Sequence, residues 1–458
     1  MDLKNFFEPK VIAVIGASRN PRKPGNIILK NLVELQYAGN IFAVNKKAVE
    51  VLGKKAYLSV KDIQEQIDLA IIATPAQTVY NILEECTAKK INDVLVVSAG
   101  FGEAGNEKEE EKLRDLIKKK KVNVLGVNCL GSYDAYSGLD TIFNPRERMD
   151  RPKKGGLSLV CQSGAIGSVI LDMMAKENYG LRRFVSYGNA TGLDESDFIE
   201  FLGKDDKTKV IGLYLEGIRD GEKFLETCKK VSKKKPIIAL KSGSTSKGAE
   251  AAKNHTGVLA GNIDVYKGIF KQGGVLQVNT IEELLDCARI FERSKPIKGN
   301  RVLVITNGGG LGIMAADEIS MNGLELAELS QASKEKLKGK LSPFANLRNP
   351  LDLIGDANDD HYKAAIEAGL EDGNVDALLL ILLPQTPTIT INLLKVLKNI
   401  YEKSNKPICL VIPGGSFADT LKREVEEFIP SFSFSTNAVL SLKELVEYTK
   451  SSKEKEQD

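Results

Sequence analysis

The stretch Val11-Ile-Ala-Val-Ile-Gly-Ala-Ser-Arg-Asn-Pro-Arg-Lys-Pro-Gly25 decides the fold of the N-terminal part of the chain. An apolar run ends at a glycine, and a helical pattern follows after Gly25. A strand, a tight turn and a helix in this order form the first unit of a Rossmann-like sheet. Apolar runs at residues 41–44, 68–73, 94–98 and 122–127 then alternate with helical patterns such as 26–37 and 77–89. The sequence therefore predicts a parallel α/β sheet through about residue 145.

The same alternation continues along the rest of the chain. Strands are predicted at residues 157–161, 182–186, 210–215, 236–240 and 275–278, and later at 301–306, 377–383 and 408–412. Residues 144–152 and 292–299 carry proline and mixed charge, which is typical of linkers. We therefore predict three α/β domains, at residues 1–145, 153–294 and 299–450.

The overall composition excludes several classes of protein. Hydrophobic residues make up 42% of the 458, and the 64 basic and 61 acidic residues give a net charge of only +3, which argues against a bulk nucleic-acid binder. Six scattered cysteines without a CxxC pair fit free thiols in a reducing compartment. The first nine residues lack the shape of a signal peptide, and no apolar run reaches the ~18 residues of a spanning helix. We expect a cytoplasmic protein that does not bind a membrane.

The first glycine turn favours CoA over NAD as the ligand. It is not a GxGxxG fingerprint, because only Gly16 holds its place. The second strand ends in Asn45, Lys46 and Lys47, where an NAD site usually has an acidic residue for the ribose hydroxyls. Two lysines instead suit a phosphorylated ribose or a pyrophosphate. A tight turn followed by two solvated lysines is the alternative.

Small residues follow three further strands of the predicted first sheet. The segments are Thr74-Pro75, Ser98-Ala-Gly-Phe-Gly-Glu103 and Asn128-Cys-Leu-Gly131. The carboxyl ends of parallel strands line one crevice, and small residues let a ligand approach the backbone. We expect a ligand at this edge, with ordinary loop glycines as the alternative.

One histidine has the surroundings of a nucleophile. His255 lies in Lys253-Asn-His255-Thr-Gly-Val-Leu-Ala-Gly261, between two stretches of small residues, and such a loop is typically exposed. An imidazole can take up and release a phosphoryl or acyl group. Glu216 ends a strongly apolar strand, where its carboxylate could orient the ring. A surface histidine and a solvated or helix-capping glutamate without roles remain the alternatives, and the second histidine, His361, fits the first of them.

Two helix starts look like copies of each other. They are Cys161-Gln-Ser-Gly-Ala-Ile-Gly167 and Thr306-Asn-Gly-Gly-Gly-Leu-Gly312, each after a predicted strand. Backbone N–H groups at helix N-termini attract anions. We therefore expect both helix starts to face one phosphate.

Together these motifs resemble those of succinyl-CoA synthetase and the other NDP-forming acyl-CoA synthetases over nearly the whole chain. The third domain, with Asn349-Pro-Leu-Asp-Leu-Ile-Gly-Asp356, is similar to the arrangement in the α subunit of archaeal ADP-forming acetyl-CoA synthetases. The resemblance implies a CoA-binding Rossmann-like domain followed by two flavodoxin-like ligase domains, the first of which carries the phosphohistidine loop.

The resemblance also implies a role for each matching residue. His255 would be the phosphorylated nucleophile and Glu216 its stabilising partner, and no metal ligand is expected. Phosphate would be bound by Ser163, Gly164, Ala165, Gly308, Gly309 and Gly310. CoA would lie against Gly16, Ala17, Ser18, Lys46, Ser98, Ala99, Gly100 and Asn128.

The implied reaction is acyl-CoA + ADP + phosphate ⇌ acid + CoA + ATP, through an acyl phosphate and a phosphohistidine. The sequence shows no ATP-grasp module, so ADP or ATP and Mg²⁺ would bind a separate β subunit in an α2β2 heterotetramer. Ser168 stands where succinate-using enzymes carry Tyr, which favours a smaller acid such as acetate.

Two other classes of protein fit the sequence less well. A non-catalytic protein that senses CoA or acyl-CoA, acting as a regulator or scaffold, would be expected to have lost His255 or Glu216, and both are present. An NAD-binding oxidoreductase is disfavoured because Lys46 and Lys47 stand where an NAD site usually has an acidic residue.

Replacing the nucleophile tests the central assignment. We expect His255→Ala to abolish acid-labile, base-stable phosphorylation of the chain while CoA still binds, because the attacking imidazole is lost and the expected CoA residues are unchanged. Phosphate analysis after acid and base treatment measures the first effect, and CoA titration measures the second. Full turnover by this variant would show that the phosphoryl group travels by another route.

Overall fold

The computed structural model describes residues 1–245, 247, 248 and 263–457, with side chains as far as residue 450. His255 therefore lies outside the described residues. The chain forms two compact units, Met1–Asn279 and Thr280–Asp458, built on sheets of predominantly parallel strands. The predicted α/β fold is confirmed. The three predicted domain boundaries stay predictions.

The first sheet of the first unit has the strand order of a Rossmann fold. Its order is β3-β4-β2-β1-β5-β6-β7, and every neighbouring pair is parallel except β3 and β4. The carboxyl ends of β1 and β5 meet where the strand order reverses, which is where ligands bind in such sheets. The strands are Val11–Ile15 (β1), Asn40–Val44 (β2), Glu50–Val51 (β3), Lys54–Tyr57 (β4), Leu69–Ile72 (β5), Asp93–Val96 (β6) and Asn123–Gly126 (β7).

The second sheet continues the first unit with the order β14-β13-β12-β10-β11-β8-β9. Strands β10 to β14 are parallel, whereas β8 pairs antiparallel with both β11 and β9. The strands are Gly131–Asp134 (β8), Leu139–Asp140 (β9), Lys154–Cys161 (β10), Leu181–Ser186 (β11), Val210–Leu215 (β12), Ile237–Lys241 (β13) and Val275–Val278 (β14).

The second unit holds the third sheet, in which all strands are parallel. Its order is β16-β15-β18-β19-β20, and β17 also pairs with β15. Buried apolar residues cover both faces of this sheet. The strands are Arg301–Thr306 (β15), Glu325–Leu326 (β16), Leu351–Asp352 (β17), Ala377–Ile381 (β18), Ile408–Val411 (β19) and Ser431–Phe432 (β20).

Helices connect the parallel strands in both units. Those of the first unit span Pro24–Glu34, Ala76–Ala88, Glu107–Lys120, Gly164–Lys176, Glu195–Gly203, Gly221–Val231 and Ile263–Gly273, with short 3₁₀ turns at Lys4–Phe6, Val60–Asp62 and Gly102–Ala104. Those of the second unit span Ile281–Arg293, Gly309–Met321, Gln331–Leu337, Asp359–Glu371, Asn392–Lys403, Ser416–Val425 and Ser435–Gln457.

The helix Pro24–Glu34 begins two residues before its predicted start and ends three residues before its predicted end. Pro24 occupies the first turn, where its missing N–H is not needed and its fixed φ already suits a helix. The chain leaves the helix because Gln36 has a φ of +50°.

A buried ionic cluster ties the N-terminal segment to the second sheet. Asp134 is fully buried and accepts hydrogen bonds from Arg182 Nη1 at 2.7 Å and from Arg183 Nε at 2.8 Å. Arg182 Nε also donates to Asp205 at 2.9 Å, and both arginines contact Glu8. Burial alone would raise the pKa of Glu8, but the two arginines lower it below its ordinary value. The Glu8 carboxylate is therefore charged at neutral pH.

Removing one carboxylate from this cluster tests its contribution to stability. We expect Asp134→Ala to lower the free energy of unfolding by about 3–5 kcal/mol, because two buried guanidinium groups lose their shared partner. The matched control is Glu109→Ala, which breaks an exposed pair with Lys112 and should cost less than about 1 kcal/mol. Denaturant unfolding measures both, and equal effects would contradict the prediction.

Candidate active site

Two cavities open at the carboxyl ends of the strands in the first unit. The larger cavity has a volume of about 690 Å³ and lies between loops that follow strands of both sheets. Its lining residues are Val97, Ala99, Glu103, Asn128, Cys129, Leu130, Phe143, Asn144, Gln162, Ser163, Gly164, Ala165, Ser168, Gly188, Asn189 and Glu216. Six residues predicted from the sequence therefore lie around one space: Ala99, Asn128, Ser163, Gly164, Ala165 and Glu216.

The smaller cavity, of about 260 Å³, lies at the switch point of the first sheet and includes Gly16, Lys46 and Lys47 in its wall. Gly16 has a φ of +92°, and a Cβ there would lie 2.4 Å from the carbonyl oxygen of Ala73. Only glycine fits this turn. Asn45 Oδ1 accepts hydrogen bonds from the backbone N–H groups of Lys47 and Ala48, which holds both exposed lysines beside the cavity.

Four predicted CoA residues lie beside these cavities without lining them. Ala17 is buried, and the carbonyl oxygen of Ser18 accepts a hydrogen bond from Asn26. Ser98 Oγ donates to the carbonyl oxygen of Thr74 at 2.6 Å. The backbone N–H of Gly100 donates to Glu103. These residues shape the loops that carry the cavity-lining groups.

A chain of side-chain amides fixes the orientation of Asn128. Asn189 Nδ2 donates to Glu103 at 2.6 Å and to Glu110 at 2.9 Å. Burial alone would raise the pKa of Glu103, but hydrogen bonds from Gly100 and Asn189 lower it, so this carboxylate is ionised and only accepts. The oxygen of Asn189 is therefore left to accept from Asn128 Nδ2, at 3.2 Å.

The phosphate loop predicted from the sequence begins the helix Gly164–Lys176. Ser163 is its N-cap residue, and its hydroxyl accepts a long hydrogen bond of 3.5 Å from the backbone N–H of Ile166. The first N–H groups of a helix have no partner within it. Those of Gly164 and Ala165 therefore lie in the wall of the larger cavity without an intrahelical acceptor.

Glu216 follows β12 and is 8% exposed. Its backbone N–H donates to Gln162 Oε1 at 2.7 Å, so the loop after β12 is attached to the loop after β10. Lys241 ends the neighbouring strand β13, where it is buried with its Nζ 4.6 Å from the ring centre of Tyr266. Burial lowers the pKa of Lys241, whereas the charge of Glu216 raises it. The two groups therefore interact electrostatically.

Cys129 also lines the larger cavity but does not have the properties of a nucleophile. Burial raises the pKa of its thiol to about 12, so the thiolate is absent at neutral pH. The thiol instead donates to the carbonyl oxygen of Val96.

Three residues of this region were not predicted from the sequence: Gln162, Asn189 and Lys241. Gln162 stands directly between the end of β10 and the N-cap residue Ser163, a position that could have drawn attention to it. Asn189 and Lys241 carry no such local signal.

The second predicted helix start lies in the second unit. Gly308 caps the helix Gly309–Met321, and its backbone N–H donates to Thr306 Oγ1 at 3.0 Å. A Cβ on Gly309 would lie 2.6 Å from a carboxylate oxygen of Asp352. The role of Gly308, Gly309 and Gly310 in binding phosphate stays a prediction. Within the described part of the chain, no helix is both long and apolar enough to cross a membrane.

Comparisons with known proteins agree with this architecture. Residues 10–134 match a CoA binding domain, residues 154–291 a succinyl-CoA ligase-like flavodoxin domain and residues 302–443 a ligase-CoA domain. The three domains together define a CoA ligase of the succinyl-CoA ligase type.

Individual relatives indicate which type of CoA ligase the chain is most similar to. The subunit alpha of acetate–CoA ligase [ADP-forming] II from Pyrococcus furiosus is 40% identical over 98% of both chains. Acetate–CoA ligase [ADP-forming] I from Archaeoglobus fulgidus is 38% identical over 98% of this chain and 64% of its own length. A solved structure of acetyl-coenzyme A synthetase 1 from Ca. Korarchaeum cryptofilum, in complex with phosphate and ADP, is 33% identical with a TM-score of 0.91, over 99% of this chain and 98% of that chain. The chain belongs to the family of ADP-forming acetate–CoA ligases.

Proposed function

We propose that the chain is the α subunit of an ADP-forming acetate–CoA ligase, which interconverts acetyl-CoA, ADP and phosphate with acetate, CoA and ATP. This proposal rests on the residues that line the larger cavity. The cavity brings the CoA-domain residues Ala99 and Asn128 together with the helix start at Ser163 and with Glu216. A thioester and a phosphate bound there would be in contact.

The proposed cycle has three transfers. A phosphate oxygen attacks the thioester carbonyl carbon near Asn128, the C–S bond breaks, and CoA leaves as its thiol. An imidazole nitrogen of His255 then attacks the phosphorus of the acyl phosphate, and acetate departs. ADP finally takes the phosphoryl group from His255. Glu216 would stabilise the positive charge that the imidazole ring acquires when it takes up the phosphoryl group, and this charge is lost again when ADP accepts that group.

The finer assignments are also proposals. Phosphate would be held by Ser163, Gly164 and Ala165, with Gly308, Gly309 and Gly310 supplying a second helix start. CoA would extend over Gly16, Ala17, Ser18, Lys46, Ser98, Ala99, Gly100 and Asn128.

The nucleotide and Mg²⁺ would bind a separate ATP-grasp β subunit in a cytoplasmic α2β2 heterotetramer. The lengths of two relatives support this division between an α and a β subunit. The chain covers 98% of the Pyrococcus subunit but only 64% of the Archaeoglobus enzyme, which is a longer single chain. The remaining part of that longer chain is where an equivalent of the β subunit would be found.

The function is tested by incubating the chain and a β subunit with acetyl-CoA and phosphate. We expect the intact mass of this chain to increase by one phosphoryl group while CoA thiol is released. Added ADP should then remove the phosphoryl group from the chain and become ATP. CoA binding without thiol release or phosphorylation would instead support a CoA-sensing protein.

Charge reversal at Lys46 tests the CoA assignment. We expect Lys46→Glu to weaken CoA binding by on the order of 1–3 kcal/mol, because a phosphate contact is replaced by repulsion. Calorimetric titration with CoA measures the change, and NAD should bind neither form. The exposed Lys61, on the 3₁₀ turn Val60–Asp62, provides the matched control, Lys61→Glu. Equal CoA affinity in both variants would place the CoA phosphates elsewhere.

A further inference from the structure

Gln162 occupies a position between the proposed phosphate loop and the loop that carries Glu216. It follows β10 directly, precedes the N-cap residue Ser163 and lines the larger cavity. Its backbone N–H donates to the carbonyl oxygen of Tyr214 at 3.0 Å, which fixes the main chain, and only 9% of the residue is exposed.

The contacts of Gln162 fix which end of its amide faces the cavity. Oε1 accepts hydrogen bonds from the backbone N–H groups of Glu216 at 2.7 Å and Gly217 at 3.0 Å, and from the hydroxyl of Tyr187 at 3.3 Å. A backbone N–H can only donate, so the atom that meets it must be the amide oxygen. Nε2 has no acceptor among the described residues and is therefore available to a ligand in the cavity.

Neutral hydrogen-bond donors are important for binding an anion in the larger cavity because of the charges in its described wall. Its lining residues include the carboxylates of Glu103 and Glu216 but, among the described residues, no Lys, Arg or His. Among the described lining residues, the groups that can donate a hydrogen bond to an anion are therefore N–H and O–H groups of neutral residues. The helix start at Gly164 and Ala165 supplies two of them, and Gln162 is adjacent to this helix start in the chain.

We propose that Gln162 Nε2 donates a hydrogen bond to an anionic oxygen of the phosphoryl group, in inorganic phosphate or in the acyl phosphate. This assignment rests on the proposed function and adds a catalytic residue to it. The same amide also positions the Glu216 loop through Oε1. One side chain thus links the phosphate to the backbone that carries the carboxylate partner of His255.

The variant that tests this role is Gln162→Glu, assayed in the complex with the β subunit. A carboxylate of the same size can still accept from the Glu216 and Gly217 N–H groups, but it replaces the donor by a negative charge. We expect the KM for inorganic phosphate to rise about tenfold to a hundredfold, the range for a lost hydrogen bond to a charged group. The KM for acetyl-CoA should change less than about twofold.

The pH dependence separates donation from a purely structural role. A protonated glutamic acid has an O–H that can donate again. We therefore expect the ratio of the phosphate KM of Gln162→Glu to that of the unaltered enzyme to fall as the pH is lowered from 8 to about 6. The carboxylates of Glu103 and Glu216 line the same cavity in both proteins. The ratio therefore compares two proteins that differ only in the side chain at position 162. A ratio independent of pH would count against donation.

Two further variants complete the experiment. Gln162→Met removes both ends of the amide, so we expect kcat to fall as well as the phosphate KM to rise, and it serves as the test if the Glu variant does not fold. Gln272→Glu adds the same charge on the exposed surface of the helix Ile263–Gly273 and should leave both constants unchanged.

The outcomes distinguish this inference from the proposed function. If the unaltered complex releases no CoA thiol in a phosphate-dependent manner, the proposed function is wrong. If that complex is active but Gln162→Glu has an unchanged phosphate KM, only the role of Gln162 is overturned. An equal rise in the KM values for phosphate and acetyl-CoA would also overturn it, because the donor would then not be specific for the phosphoryl group.

Discussion

Backbone N–H groups that lie beyond the ends of the strands need acceptors, and in the first unit buried and half-buried side chains supply them. The oxygen of Gln162 accepts from Glu216 and Gly217, and the carboxylate of Glu103 accepts from Gly100. Leaving such a group buried without a partner would cost about 1–3 kcal/mol, so these bonds hold the loops in one arrangement. The positions of the cavity walls depend on them.

A side-chain amide that is fixed at one end presents its other end in a defined direction. Gln162 is held by its oxygen and presents a donor, whereas Asn128 is held through its nitrogen by Asn189 and presents an acceptor. Donors fixed before a ligand arrives need no reorganisation when charge develops during a reaction. This explains how a cavity without described basic side chains in its wall could still bind an anion.

The strands that position the site could be predicted because they are buried on both faces and appear as continuous apolar runs. The antiparallel strands β8 and β9 were missed, because Gly131–Asp134 and Leu139–Asp140 are short and contain polar residues. β8 pairs with β11, about fifty residues later in the chain, and β9 pairs with β8, so no local pattern reveals how these strands join the sheet.

The site was predictable to a similar extent. Ser163 and Glu216 were found because each follows a recognisable strand, and the structure places both in the wall of the larger cavity. The importance of Gln162 was not apparent, because its contact with Glu216 joins residues 54 positions apart and a single amide has neither periodicity nor charge to mark it. The assignment of His255 rests on composition and resemblance, since it lies outside the described residues.

The environment of Ser168 bears on which acid the cavity accepts. Its hydroxyl donates to the carbonyl oxygen of Gly164 at 3.0 Å and accepts from Asn144 at 3.2 Å, so it is already engaged by the fold. A dicarboxylic acid would bring a second negative charge into a space lined by Glu103 and Glu216 and, among the described residues, by no basic side chain. Burying an uncompensated charge is costly. The charge of the described wall, more than the volume of about 690 Å³, is thus in line with the proposed use of a small monocarboxylic acid such as acetate.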